Sequence, residues 1–147
     1  MKSLISIIII GFSQIVFGAG GDDYSDLKQN DVFEEPKSLI SNDSYSLAYE
    51  KLVKIGKRYK KQEEADRQNL LGFTARKQKN FKVAAAHYQK ALLIDPKHKD
   101  ALEYQGELFL SMGLVENAKE NLRKLKKICW NKCDQVKDLE SAIANIE

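Results

Sequence analysis

The strongest constraint on the fold of this chain is an internal repeat with a spacing of 34 residues. At this offset Gly72 aligns with Gly106, and Ala84 aligns with Ala118. Repeats of about 20–50 residues are typical of proteins built from stacked supersecondary units, because one unit alone cannot bury its apolar face. The chain is therefore predicted to contain at least two similar units that pack against each other.

Each unit is predicted to be a pair of antiparallel helices. Small residues recur where two helices must approach closely, and large apolar residues fill the space beside them. These large residues are Tyr88, Phe109, Leu122 and Leu125. The expected helices lie near residues 64–78, 81–94, 99–112 and 115–129. Asp95-Pro96 separates the two pairs, since proline lacks the amide donor that a continuing helix needs.

The repeated pattern resembles the tetratricopeptide repeat family. The first copy matches at Leu71, Gly72, Ala75, Ala84, Tyr88 and Pro96, and the second copy matches at Gly106, Phe109, Ala118 and Leu122. The resemblance implies an all-α fold, in which helical hairpins at about residues 65–98 and 99–132 stack into a short solenoid. Gln68, Gln105 and Trp130 depart from the family's Trp, Leu and Pro, so the second copy is expected to end differently from the first.

Two further amphipathic segments are predicted to cap this stack. Residues 44–59 carry apolar side chains at spacings of three and four, and lysines occupy the opposite side. This helix is expected to cover the first hairpin. Residues 134–146 present Val136, Leu139 and Ile143 in the same way and are expected to cover the second hairpin. The repeat domain is therefore predicted to extend over residues 44–147.

The first residues of the chain are predicted to be a cleavable signal peptide. Met1-Lys2 precedes an apolar run that ends at Phe17, and this run is shorter than the roughly 20 residues that span a bilayer. Small residues around Gly18 suit signal-peptidase cleavage, so residues 1–18 are interpreted as the signal. An uncleaved membrane anchor is the alternative.

Residues 19–43 are predicted to be an acidic leader without ordered structure. From residue 20 to residue 43 there are seven carboxylates and two lysines, with few large apolar groups to bury. The alternative interpretation is a docking peptide centred on Val32-Phe33.

Cys129 and Cys133 lie between the second hairpin and the last helix. In an exported protein two thiols favour a structural disulfide, which would pin the cap helix to the stack. A redox pair, a metal site and two reduced thiols are the alternatives. A redox pair is normally one residue tighter, and a metal would need more ligands than His87 and His98 supply. No metal and no cofactor are predicted.

The chain is not expected to be an enzyme. His87 lies on the helix whose inward positions include Ala84 and Tyr88, and His98 lies in the turn between the repeats. The sequence has no glycine-rich phosphate loop and no serine nucleophile in a recognisable turn. A binding function is therefore favoured.

The family resemblance implies a binding groove lined by the first helix of each hairpin. The corresponding positions are Asn69, Phe73, Arg76, Lys77, Glu103, Glu107 and Leu110. A groove with one basic wall, one acidic wall and two apolar anchors suits a protein or peptide segment of mixed charge. Alternatively, the charged residues solvate a surface or pair with one another. Phe73 and Glu103 depart from the family's clamp for a C-terminal carboxylate, which argues against that ligand.

A basic run near the end of the second hairpin allows a different partner. It consists of Arg123, Lys124, Lys126, Lys127 and Lys132. Such a run could contact nucleic acid or an anionic membrane. No nucleic-acid partner is expected, because only Trp130 adds an aromatic ring and the net charge of the chain is +3. A solvated helix face is favoured over weak membrane contact.

The chain also resembles a group of small exported tetratricopeptide proteins of Gram-negative bacteria. The similarity is carried by segments such as Leu70-Leu71-Gly72-Phe73 and by the paired cysteines. It implies a periplasmic location. The predicted function is a non-enzymatic adaptor of the cell envelope, and the alternative is a peripheral membrane-surface or thiol-redox accessory protein.

Overall fold

The computed structural model describes residues 31–58, 60–130 and 132–146. These residues form seven helices and no strand. The helices are α1 (Glu34–Ser41), α2 (Tyr45–Ile55), α3 (Lys61–Lys77), α4 (Phe81–Ile94), α5 (Lys99–Ser111), α6 (Val115–Cys129) and α7 (Asp134–Ala144). The prediction of an all-α fold is confirmed. The expected signal peptide at residues 1–18 lies outside the described residues.

The helices pack in chain order from α1 to α6. α3 and α4 form the first hairpin, and α5 and α6 form the second. α2 packs on α3 at one end of the stack, while α7 packs on both α5 and α6 at the other end. Both segments that were predicted to be caps therefore lie against a hairpin.

Local chemistry explains several helix ends. His98 precedes α5, and its Nδ1 atom accepts a hydrogen bond of 3.2 Å from the Ala101 amide, which satisfies a free donor of the first turn. Asp95 is extended after α4, as the following Pro96 requires. Gly113 follows the second helix end at a φ of 73°, a left-handed conformation that glycine adopts without steric cost.

Two glycines allow close helix contacts, but with different partners. A Cβ atom on Gly72 would lie 2.7 Å from the ring of Tyr88 in α4, so the first hairpin closes only because no side chain is present. A Cβ atom on Gly106 would lie 2.7 Å from the methyl groups of Leu139 in α7. The second close approach is therefore between a hairpin and the cap helix.

The acidic segment expected to lack ordered structure is ordered over residues 31–43, where the prediction is wrong. α1 forms within these residues and packs against α2. Phe33 is 3% exposed and packs with Leu52 and Leu71. Burying a large aromatic ring stabilises the segment by enough to offset its acidic composition. The phenylalanine of the suggested docking peptide is thus occupied within its own chain.

α7 closes the apolar core at its end of the stack. Val136, Leu139 and Ile143 are buried and pack with Leu102 and Leu125. The expected cap contact therefore uses the predicted apolar face. Among the described residues, no helix is both long enough and apolar enough to cross a membrane.

Candidate functional site

The first helices of the two hairpins and α7 enclose an open groove of about 440 Å³. Its lining residues are Phe73, Arg76, Lys77, Tyr104, Glu107, Leu110, Ser111, Ala142 and Ile146. Five of the seven residues predicted for a binding groove are in this lining. The structure therefore brings most of the predicted positions together on adjacent helices.

Two aromatic rings provide the apolar surface of the groove. The ring centroids of Phe73 in α3 and Tyr104 in α5 are 4.9 Å apart. Tyr45, at the start of α2, contacts Phe73 edge-on with a centroid distance of 6.3 Å. Burial raises the pKa of Tyr104 to about 12, so its hydroxyl stays protonated at neutral pH. The rings therefore offer an apolar face together with a hydrogen-bond donor.

The basic and acidic walls are joined by an ion pair. The Arg76 guanidinium lies 2.5 Å from a carboxylate oxygen of Glu107. It also lies over the rings of Phe73 and Tyr104, at 5.5 and 5.8 Å from their centroids. Arg76 and Glu107 thus largely neutralise each other, which was one of the two interpretations of these charges. Arg76 therefore connects α3 to α5, and its charge is largely unavailable to a ligand.

Lys77 is the cation that remains available in the groove. Its Nζ atom lies 5.6 Å from the ring centroid of Tyr45 and 5.5 Å from that of Phe73. Within the described part of the chain it forms no ion pair with a carboxylate. An exposed ammonium beside two rings is suited to a ligand that carries an acidic group next to an apolar one.

Glu103 lies deeper than the sequence suggested. Its residue surface is 7% exposed, and it makes no hydrogen bond or ion pair to any described residue. Burial raises the pKa of Glu103 to about 8, and the nearby carboxylates of Glu107, Asp138 and Asp100 add to this effect. The side chain is therefore mostly uncharged at neutral pH, so the acidic wall carries less charge than predicted.

Asn69 is also buried rather than part of the groove lining. It is 4% exposed, and its Oδ1 atom has no hydrogen-bond partner. The Nε atom of Arg76 and the hydroxyl of Tyr88 are likewise buried without a partner. Burying a polar atom without a hydrogen bond costs about 1–3 kcal/mol, so these atoms mark the site as incompletely satisfied.

Sequence reasoning missed four of the lining residues. Tyr104 and Ser111 lie on the helix stripe of Glu107, at spacings of three and four, and this stripe could have identified them. Ala142 lies in α7, and Ile146 follows the end of that helix. No sequence pattern pointed to these two residues, because they reach the groove only through the packing of α7 against α5.

Both ring nitrogens of His87 have partners within the fold, as expected for a partly buried residue. Its Nδ1 atom is 2.7 Å from Oε1 of Gln68, and its Nε2 atom is 3.2 Å from the hydroxyl of Tyr49. Burial lowers the pKa of His87, and the positive charges of Lys90 and Arg67 lower it further. The imidazole is thus held neutral between two partners.

The remaining candidate features are the basic run near the end of the second hairpin, the aromatic ring of Trp130 and the possible metal ligands. Arg123 pairs with Glu120 at 2.6 Å, and Lys126 pairs with Glu140, so the basic run is partly neutralised. Trp130 is 82% exposed at the end of α6. In the described residues, no group of three or more His, Cys, Asp or Glu side chains is placed to hold a metal ion.

The two cysteines lie at bonding distance. Cys129 ends α6, Cys133 precedes α7, and their Cα atoms are 5.5 Å apart. This separation lies within the usual range for a disulfide. The bond would connect the second hairpin directly to the cap helix that supplies one side of the groove.

Comparison with known proteins supports the assignment of the helical hairpins as tetratricopeptide repeats. A family model described as the tetratricopeptide repeat matches residues 65–98. The C-terminal tetratricopeptide-containing domain of an FK506-binding protein from Plasmodium falciparum is similar in structure, with a TM-score of 0.58 and 22% sequence identity. The match covers 79% of this chain and 86% of that domain. No curated protein sequence matches the chain.

The α3–α4 hairpin coincides with the matched residues, and α5–α6 repeats it after 34 residues. Residues 65–98 therefore match a tetratricopeptide repeat, and the described helices have the fold of a tetratricopeptide-like solenoid. Repeats of this family generally mediate protein–protein interactions, and the fold is typically non-enzymatic. The low identity of the similar structure means that it supports the fold alone. The resemblance to exported bacterial proteins stays a prediction.

Proposed function

We propose that this chain is a non-enzymatic adaptor that binds a peptide segment of a protein partner in the groove between α3, α5 and α7. The single observation that carries this proposal is the open aromatic surface of Phe73 and Tyr104 with Lys77 at its edge, which forms no ion pair with any residue that the structure describes. Apolar anchors bordered by a free charge are typical of peptide recognition, because the anchors provide affinity and the charge provides orientation.

The partner segment should carry an acidic side chain beside an aromatic or large aliphatic one. The acidic group would pair with Lys77, and the apolar group would cover the rings of Phe73 and Tyr104. Arg76 and Glu107 contribute less to the choice of ligand, since they already satisfy each other. This division of roles is more specific than the mixed-charge groove inferred from the sequence.

Selection from a displayed library of random peptides tests the proposal. Peptides selected on the wild-type chain are measured against a groove variant, Phe73→Ala with Lys77→Glu. The control is Lys82→Glu, which makes the same charge reversal on the exposed side of α4, outside the groove. We expect the groove variant to lower affinity by about tenfold or more, and the control to change it by less than about twofold.

Equal affinities of the three proteins for every selected peptide would show that the groove is not the binding site. Circular dichroism and unfolding midpoints must accompany the binding data, because Phe73 also packs on Tyr104. Phe73→Leu provides a milder version that retains apolar volume. It should bind with intermediate affinity if the aromatic surface makes the contact.

The adaptor is further proposed to work in the periplasm. The support is the short apolar run that follows Met1-Lys2 and the pair of cysteines, which suits an oxidising compartment. The intact mass of the protein from its native host shows whether the signal peptide has been removed. A mature chain that begins near Ala19 or Gly20 is expected, and a chain that retains Met1 would contradict it.

A further inference from the structure

We propose that Glu103, together with Asn69 at the equivalent position of α3, receives a basic side chain of the bound peptide, either lysine or arginine. This inference rests on the proposed function, because it concerns the same groove. It adds a second charged contact to the one at Lys77. It also assigns a role to the two predicted groove positions that the structure buries.

The first observation is that Glu103 is an acceptor without a donor. It is 93% buried and makes no hydrogen bond or ion pair to a described residue. Carboxyl groups are rarely buried unless they are paired, because the loss of hydration is costly. A native protein usually retains such a group because it has a function or because its partner is a separate molecule.

The second observation is the position of Glu103 next to the groove. It precedes Glu107 by one helical turn on the same face of α5, and Glu107 lines the groove. One turn of helix separates the two side chains by only about 5–6 Å. A lysine or arginine side chain of a peptide in the groove is long enough to span that distance.

Asn69 repeats this arrangement on the neighbouring helix. It precedes Phe73 by one turn in α3, and Phe73 lines the groove. Its Oδ1 atom is buried and has no donor. Asn69 and Glu103 occupy the same position in consecutive repeats, 34 residues apart, and α3 packs against α5. An unsatisfied amide oxygen and an unpaired carboxyl group thus occupy equivalent positions of two helices that pack together.

The local charges favour a cation rather than a neutral donor. Glu107 and Asp100 of α5 and Asp138 of α7 act on Glu103, and Arg76 of α3 is the one positive group that opposes them. The guanidinium of Arg76 is already paired with Glu107. An ammonium or guanidinium from a ligand would find an excess of negative charge and several acceptors.

A double-mutant cycle tests the contact. Peptides selected on the wild-type chain from the displayed random library are aligned, and the shared basic residue is replaced by norleucine. Each peptide is measured against the wild type and Glu103→Gln. Glu120→Gln serves as the control, because it makes the same change in an exposed carboxylate of α6. Gln is isosteric with the protonated carboxyl group, so the fold should be retained.

We expect norleucine to weaken binding to the wild type and to the control by about tenfold, as hydrogen bonds to charged groups predict. We expect it to have less than about a twofold effect on Glu103→Gln. Selections on Glu103→Gln should also lose the shared basic residue. A second readout is pH, because a cation requires the ionised carboxylate. Affinity for the basic peptide should rise between about pH 6 and pH 8 in the wild type, and it should stay flat in Glu103→Gln.

Other results would overturn the proposal in distinguishable ways. Groove-dependent peptides that share no basic residue would refute the Glu103 contact and leave the adaptor function standing. A norleucine substitution that lowers affinity equally for the wild type and for Glu103→Gln would also refute the Glu103 contact and leave the adaptor function standing. Selected peptides that bind the wild type and the Phe73→Ala, Lys77→Glu variant equally would refute both proposals.

Discussion

The two hairpins of this chain differ most in what lies between their helices. In the first, buried polar groups connect α2, α3 and α4. Glu64 accepts hydrogen bonds from Arg67 at 2.9 and 3.0 Å and from Gln68 at 2.7 Å. Gln68 in turn contacts His87, whose other ring nitrogen faces Tyr49. These five residues are referred to below as the polar network.

In the second hairpin, apolar side chains occupy the corresponding space. The buried members are Leu102, Leu110, Ala118, Leu125, Cys129, Val136, Leu139 and Ile143. Glu103 and Asn121 are the buried polar residues of α5 and α6. The Nδ2 atom of Asn121 donates to the carbonyl of Leu102 at 3.1 Å and to Gln105 at 3.0 Å. The cysteine pair then links this cluster to α7.

The comparison shows that one backbone arrangement can be held together by different interactions. A buried network needs all its members, because the loss of one leaves another charged or polar group without a partner. An apolar cluster tolerates change more gradually, since contacts are lost in proportion to the atoms removed. The first hairpin should therefore be more sensitive to single polar substitutions than the second.

The largest effect is expected from breaking the polar network at Glu64. Glu64→Gln leaves the buried Arg67 guanidinium without its counter-charge and should lower the free energy of unfolding by about 3–4 kcal/mol. Urea unfolding measures the change. Glu63→Gln is the matched control one residue earlier. Because Glu63 pairs with Arg58 and Lys60 nearer the surface, Glu63→Gln should destabilise the fold much less than Glu64→Gln.

Adding Arg67→Met to Glu64→Gln sharpens this test. If the cost comes from the uncompensated charge, the double variant should recover at least half of the lost stability. A double variant as unstable as the sum of its two single changes would contradict the idea of a coupled network.

An intermediate effect is expected from the cysteine pair in the second hairpin. Cys129→Ser with Cys133→Ser should lower the free energy of unfolding by about 2 kcal/mol, the chain-entropy value for so short a loop. Hydrogen exchange should increase in α7, where the bond holds the cap helix. Peptide binding at low temperature should remain.

Reduction provides the control for this prediction. A reductant should destabilise the wild type by a similar amount and should leave the double Ser variant unchanged. Alkylation of the exported protein tests the premise. Thiols that label without reductant would show that no disulfide exists in the cell.

The last comparison concerns pH, whose effect on stability is expected to have opposite signs in the two regions. Burial alone would raise the pKa of Glu64, but hydrogen bonds from Arg67, Arg58 and Gln68 outweigh it and lower the pKa to about 2. The first hairpin therefore loses stability as pH falls from about 4.5 towards 2. Glu103 has a raised pKa of about 8, so its region loses stability as pH rises from about 4.5 towards 8.

Unfolding of Glu103→Gln against pH isolates the second contribution. His87 acts in the opposite direction, since its lowered pKa removes stability as pH falls below about 6.5. The difference in unfolding free energy between wild type and Glu103→Gln cancels that background. This difference should change between about pH 5 and pH 7.5, and a constant difference would show that Glu103 ionises normally in the fold.

The sequence by itself was sufficient for helices α2 to α7 and their order. The 34-residue repeat, Asp95-Pro96 and Gly113 placed α3 to α6 within a few residues, because these signals act within one or two turns of helix. Five of the groove residues followed from the resemblance to the tetratricopeptide repeat family. The ordered structure of residues 31–43 could not be predicted, because it depends on the packing of Phe33 against Leu52 and Leu71 from distant parts of the chain.

Only the tertiary structure decided the chemical state of the groove. Spacing placed Arg76 and Glu107 on neighbouring helices, but the packing of α3 against α5 made them partners. The same packing buried Glu103 without a donor and left Lys77 unpaired among the described residues. The charge and hydration of a side chain depend on distances of a few ångströms to groups on neighbouring helices. Those distances are set by how the helices pack. A repeat pattern specifies which residues share a face of a helix, whereas burial determines which of them are available to a partner.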